Sequence, residues 1–240
     1  MTRSSALSSP SSPSSPRRSA GLPLEHLLGW AEFAGLRVSV GPGVFVPRRR
    51  TEFLAERAAA LLRPGGVAVD LCCGSGAVGA ALLAAVDGAE VHAADIDPVA
   101  VEYARRNLDG AAGVHLGDLF AALPGRLRGR IDVVAANAPY VPTGAIGTLP
   151  PEAREHEPRT TLDGGADGLD VQRRVAAAAP GWLRPGGALL VETSARQAPM
   201  TCDIVARAGL VPQTAGDEEL DATVVVGVLP EGPGRIPFHR

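Results

Sequence analysis

Lysine is missing from this 240-residue sequence; its 23 basic side chains are all arginine, set against 26 acidic ones for a net charge of −3. Gripping a polyanion by its phosphates calls for a basic surface, so this balance disfavours nucleic acid as a direct substrate. Cysteine is scarce. Cys72, Cys73 and Cys202 are too few and too unevenly placed for a disulfide framework or a zinc site with paired C-x-x-C ligands. A reducing, cytoplasmic setting follows, with Cys72 and Cys73 read as packed, inert thiols. His26, His92, His115, His156 and His239 are scattered among different segments, which leaves neither a metal cluster nor a Ser-His-Asp triad to assemble. The lone Trp30 and Trp182 read as packing residues. No apolar run is long enough to span a membrane, and MTRSSALSSPSSPSSPRRSA at the start lacks the apolar core of a secretory signal.

What is present suits one soluble domain: 45% of residues are hydrophobic and 20% charged. The Ser/Pro-rich stretch 1–22 buries too little to offset the entropy of ordering and is expected to be a disordered tail. Residues 23–47 then predict a short helix and a hairpin, 48–230 the main domain, and 231–240 a second tail. LEHLLGWAEFAGL predicts one helix over 24–36, and LRVSVGPGVFVP a hairpin turning at Gly41-Pro42-Gly43. Thr51 is placed to cap a helix through Leu62. VAVDL, EVHAAD, GVHL, IDVVAAN and GALLVET read as strands starting at 67, 90, 113, 131 and 187, with helices between or after them. Asp97-Pro98 opens one of those helices in the favoured cap-then-proline order. Such alternation implies an α/β fold with a mostly parallel, doubly wound sheet that binds ligands at the carboxyl ends of its strands.

Three strand ends carry chemistry. In DLCCGSGAVG, Gly74, Gly76 and Gly79 fit G-x-G-x-x-G, which alone indicates only that a backbone turn approaches a ligand or packs tightly on the sheet. Asp70, just ahead of that turn, repels a pyrophosphate and attracts the sulfonium and ammonium of S-adenosylmethionine. Asp95 ends the next strand, where a carboxylate accepts ribose hydroxyls, and Asp97 is the better helix cap because Pro98 follows it. Asp118 follows the third strand, either accepting from an adenine amino group or capping the short helix after it. Glu192 ends the fifth strand and is read as satisfying backbone donors; His156 and Glu157 belong to a loop that either lines the substrate entrance or is solvated.

The remaining strand end is Asn137-Ala138-Pro139-Tyr140. Together with VGPGVFVPRRRTEFL, DLCCGSG, AADIDP and HEPRTTLDGGADGLD, it resembles the HemK-type protein glutamine N5-methyltransferases over roughly residues 28–195. Their usual motif is Asn-Pro-Pro-Tyr. The resemblance implies a Rossmann-like class I S-adenosylmethionine-dependent methyltransferase fold and no metal. It assigns Asp70, Cys72, Gly74, Gly76, Asp95, Asp118 and Asn137 to the cofactor, and Asn137, Ala138, Pro139 and Tyr140 to catalysis. It also implies a protein partner, a release factor with its Gly-Gly-Gln loop or another translation protein; a monomer is the default expectation.

In chemical terms, a glutamine amide nitrogen is a poor nucleophile that needs orientation more than a base. Acceptors at the Asn137 side chain and the Ala138 carbonyl would take its two hydrogens and turn its lone pair toward the methyl, and such near-attack geometry is worth roughly 7–11 kcal/mol. Tyr140 would stack on the planar amide for roughly 0.5–1.5 kcal/mol. A glutamate would donate nothing to either acceptor and be rejected. Two residues depart from the pattern. Ala138 replaces the first proline but still precedes Pro139, which favours an extended backbone; Cys72 stands where glycine is usual. Little more than one helix precedes the hairpin, where the family has a helical domain that docks its substrate. The competing readings are methylation of an exocyclic amino group on a nucleic-acid base and a nicotinamide-dependent oxidoreductase built on G-x-G-x-x-G.

Overall fold

A computed structural model describes residues 22–231; the Ser/Pro stretch and the C-terminal tail lie outside the described residues. The first element, α1 (Leu24–Leu28), is much shorter than the helix expected over 24–36. Gly29 stops it: at φ +81° it takes the left-handed cap conformation and returns its N–H to the Glu25 carbonyl. Trp30–Phe33 then alternates its burial as β1 and pairs with β2 (Leu36–Ser39). The chain reverses through Ala34 and Gly35, both at positive φ as a two-residue primed turn requires, so the hairpin turns there and not at Gly41-Pro42-Gly43. Trp30 lies under the Arg37 guanidinium, 4.0 Å from the ring centre, and is not a core residue.

Next come α2 (Thr51–Leu61), β3 (Val67–Leu71), α3 (Ala77–Ala85), β4 (Glu90–Asp95), α4 (Pro98–Leu108), β5 (Gly113–Leu116) and β6 (Ile131–Ala136). They are followed by α5 (Pro151–His156), α6 (Asp170–Ala178), β7 (Leu183–Thr193), α7 (Ala198–Arg207), β8 (Val211–Asp217) and β9 (Ala222–Val228). The seven-stranded sheet runs β5-β4-β3-β6-β7-β9-β8, with β9 antiparallel to both its neighbours and the rest parallel. The central strands β3 and β6 are buried along their whole length, which explains why they read as continuous apolar runs. Successive residues serve opposite layers: Val133 and Ala135 pack with α2 and α3 residues such as Leu54 and Leu82, whereas Val134 and Ala136 pack with Val175 and Trp182. Trp182 stacks on Phe120 with centroids 5.6 Å apart, as core packing demands.

Two local devices fix the frame. Asp97 caps α4, its Oδ1 accepting from the Val99 N–H at 2.8 Å, in agreement with the cap-then-proline reading. Asn107, on α4, donates to the carbonyls of Ser39 and Ser75 and accepts from the Ser39 N–H, which ties the hairpin to the glycine-rich turn. Thr51 departs from expectation: α2 has no side-chain cap bond, and the Thr51 hydroxyl is used elsewhere.

Candidate active site

The carboxyl ends of β3, β4 and β6 open into one cavity of about 1060 Å³. Its wall brings together Asp70, Cys72, Gly74, Asp95, Asp118 and the run Asn137–Tyr140. Gly76 is the exception among the residues expected there. It precedes α3 at φ +78°, and a Cβ on it would lie 3.1 Å from Ala104, so its smallness serves helix packing and not a ligand wall.

Two carboxylates clamp the glycine-rich turn. Asp70 Oδ2 accepts from the Gly79 N–H at 2.9 Å; Asp95 accepts from Gly74 through Oδ2 and from Asp97 through Oδ1, at 2.9 and 3.0 Å. Burial raises the pKa of both, and repulsion from Asp95 adds to the rise at Asp70, which is pushed up to about 8. A buried carboxylate and a half-buried one that repel each other suit a ligand bearing positive charge and oppose a pyrophosphate. That fits the sulfonium and ammonium of S-adenosylmethionine and removes the nicotinamide reading. The carboxylate oxygens keep further lone pairs, so the backbone bonds of Asp95 do not prevent it from accepting ribose hydroxyls. Cys72 holds φ +57°, the region for which glycine is the ordinary solution. Burial pushes the Cys72 and Cys73 thiols well up, which keeps them protonated and unreactive. Asp118 does not cap the short 3-10 helix after it; its Oδ2 instead meets Arg174 on α6 at 2.5 Å.

At the acceptor end, Asn137 Nδ2 donates to Thr51 Oγ1 at 3.2 Å, and the Tyr140 hydroxyl donates to Glu192 Oε1 at 3.2 Å. Arg50 Nε lies 3.4 Å from the same Glu192 oxygen. Glu192 therefore serves side-chain donors, not the backbone donors expected from its place at the end of a strand. Burial pushes the Tyr140 phenol up, so it remains a donor. Glu157 is buried too and pairs with Arg48 at the cavity wall, which rules out the solvated-loop reading for that residue.

The loop rests on the glycine block that follows it. Val141 and Gly164 exchange backbone bonds with Leu162 and Val141, respectively, and Thr143 N–H reaches the Gly165 carbonyl. Gly164 and Gly168 have to be glycines here, because a Cβ would approach the Pro139 carbonyl to 2.7 Å and the Tyr140 carbonyl to 2.3 Å. Gln197 donates to the carbonyls of Tyr140 and Asp167 at 2.9 and 3.2 Å, joining loop and block. Thr51 and Gln197 escaped the sequence reading, as did the service Glu192 gives. The available signal was a carboxylate closing an apolar strand with an amide five positions later, in VETSARQ.

Architecture and cavity together are those of the class I methyltransferase fold. Residues 35–148 match the family model "Methyltransferase small domain". A methyltransferase from Pyrococcus furiosus superposes with a TM-score of 0.63 at 17% identity, covering 89% of this chain and 98% of that one. The 16S rRNA N2 G1207 methyltransferase of T. thermophilus, solved with AdoMet and guanosine, gives 0.60 at 22% identity over 83% of this chain and 49% of that one; both likenesses concern the fold.

The release factor glutamine methyltransferase of Geobacter sulfurreducens is 39% identical over 80% of this chain and 68% of its own length. That of Mycolicibacterium smegmatis is 46% identical over 75% and 66%, and that of Streptomyces coelicolor 42% over 73% and 64%. The chain belongs to the release factor glutamine methyltransferase family. It spans about two thirds of the length of the curated relatives it matches. Among the described residues, no group of His, Cys, Asp and Glu could hold a metal ion, and no helix is long and apolar enough to cross a membrane.

Proposed function

We propose that the chain transfers a methyl group from S-adenosylmethionine to the side-chain amide nitrogen of a glutamine in a protein, the Gly-Gly-Gln glutamine of a peptide chain release factor. The observation that carries this reading is the Asn137–Thr51 bond. Because Asn137 Nδ2 is spent on Thr51, its Oδ1 remains the acceptor, and an acceptor is what a glutamine NH₂ needs. S-adenosylmethionine, when bound, supplies an electrophilic methyl on a sulfonium. Asp70 and Asp95 would hold its cationic end and its ribose, and Asp118 its adenine, from a carboxylate already shared with Arg174.

Orientation then does the chemistry this chain contributes. Asn137 and the Ala138 carbonyl take the two amide hydrogens, Tyr140 stacks on the amide plane, and Pro139 favours an extended backbone at the buried Ala138. No base is required, since the methylated amide cation sheds its proton readily. Membership of the family supports the release factor as substrate, and the Gln197 bond to the Tyr140 carbonyl supports a held acceptor loop.

The test uses purified protein, radiolabelled S-adenosylmethionine and a lysate from cells lacking the gene, with Asn137→Ala as control. Label on a protease-sensitive band, mapped to the Gly-Gly-Gln glutamine and lost with Asn137→Ala, is the expected result. Label removed by nuclease would replace this reading with base methylation.

A further inference from the structure

We propose that Glu192 is a positioning residue for the acceptor loop: from behind the cavity wall, and through the wall residue Thr51, it orients the Asn137 amide and the Tyr140 ring. This inference rests on the function proposed above and adds to it residues from the two elements on either side of the loop.

Glu192 is 1% exposed and ends β7, beside β6, which delivers Asn137. A carboxylate so placed needs partners, and its Oε1 takes site residues, the Tyr140 hydroxyl at 3.2 Å and Arg50 at 3.4 Å, while its Oε2 is buried with no hydrogen-bond partner among the described residues. The next residue after Arg50 is Thr51, also buried, whose hydroxyl accepts the Asn137 NH₂ at 3.2 Å. Thr51 is among the groups that stabilise the Glu192 carboxylate.

A hydroxyl has one hydrogen to give, and its direction sets the polarity of everything attached to it. In this proposal the Thr51 hydrogen turns toward the unpartnered Oε2 of Glu192, so that Thr51 presents a lone pair to Asn137 and selects the amide orientation that leaves Oδ1 for the substrate. A neutral amide at 192 offers an N–H in place of one carboxylate oxygen, which turns the Thr51 hydrogen back toward Asn137. The Asn137 side chain then gains by flipping, and Nδ2 faces the incoming NH₂ as a second donor. Tyr140 depends on the same carboxylate directly, while its carbonyl is held by Gln197. Both side chains are thus aligned by one buried charge that touches neither substrate nor cofactor in this scheme. Removing it should act on turnover and not on the cofactor, because Asp70 and Asp95 belong to other strands.

The experiment compares wild type, Glu192→Gln, Thr51→Val and Thr51→Ser by two readouts. The first is the pair of Asn137 side-chain NH₂ resonances in a ¹⁵N-correlated NMR spectrum, assigned by their loss in Asn137→Ala. The second is kcat and KM on a release factor, with S-adenosylmethionine Kd from calorimetry. Glu192→Gln and Thr51→Val should each move the Asn137 resonances and lower kcat roughly tenfold, about the worth of one hydrogen bond, with cofactor Kd within about twofold. Thr51→Ser, which keeps the hydroxyl, should restore both readouts. Asn137 resonances unmoved in Glu192→Gln, or a Thr51→Ser as impaired as Thr51→Val, would overturn the proposal. The spectra judge it even where wild type fails to methylate a release factor, an outcome that would count against the proposed substrate alone. Thr51→Val keeps the test decisive should Glu192→Gln not fold.

Discussion

A thiol at position 72 holds φ +57°, where an L side chain crowds the following carbonyl at a cost on the order of 1–2 kcal/mol. Glycine would remove that cost but return about 0.4–1 kcal/mol of it as freedom of the unfolded chain. Cys72→Gly should therefore leave stability within about 1 kcal/mol, whereas the β-branched Cys72→Val should lose about 2 kcal/mol, both read by chemical denaturation. Asp95 makes a sharper case, because it anchors the Gly74 and Asp97 N–H groups and faces the cavity at once. Asp95→Ala should weaken S-adenosylmethionine binding by more than about tenfold in calorimetry; unchanged affinity would remove Asp95 from the ribose role. At this scale, residues that announce themselves by motif were legible: Asp70, Asp95 and Asn137 all line the cavity. Thr51 and Glu192 were not, because nothing in the sequence near either one shows that Thr51 meets Asn137 or that Glu192 meets Tyr140.

Among the elements, β3 and β6 were readable because burial along their whole length leaves them largely apolar between turns, and β4 because its interior residues 91–94 are buried. WAEF was misread as helix because four residues of alternation are outweighed by the leucines before it, and Gly29 is what separates the two. β8, VPQTAGD, gave no signal: it is an edge strand, largely exposed, and carries proline and glycine, which sheets tolerate at an edge. The glycine block resembles the family's, but its work as a bed for the acceptor loop lies in contacts that no sequence pattern shows. Gly168→Ala tests that work. Its φ of +84° and the 2.3 Å approach to the Tyr140 carbonyl mean that a methyl group has to push the loop away. We expect kcat to fall at least about tenfold and stability by about 1–3 kcal/mol, with cofactor Kd changed less than about twofold.

Across the whole molecule, the site is a store of unfavourable charge. Asp70 titrates at about 8 when folded and near 4 when unfolded, so the unfolded chain gives up its proton first. The stability this group contributes is fully present below about pH 4, is withdrawn as pH rises, and is gone above about pH 8. Melting curves of the ligand-free protein should show Asp70→Asn gaining on wild type between pH 5 and about 8.5, since an amide still accepts from Gly79 and cannot ionise. S-adenosylmethionine should narrow the gap, stabilising wild type by about 2.7 kcal/mol at a concentration of 100 Kd and the variant far less. Equal pH dependence in the two proteins would mean that Asp70 is not the group that limits stability.

The cavity's two ends are completed at different points along the chain. The cofactor side draws on β3, β4 and the residues just after β5, ending with Asp118. The acceptor side needs Thr51 from before β3, but also Glu192 and Gln197, among the later residues of the sheet and its following helix. A ribosome making this protein therefore releases the cofactor carboxylates well before Glu192 and Gln197, which hold Tyr140. The supports of the acceptor loop are therefore completed after the cofactor carboxylates, an order set by the strands themselves.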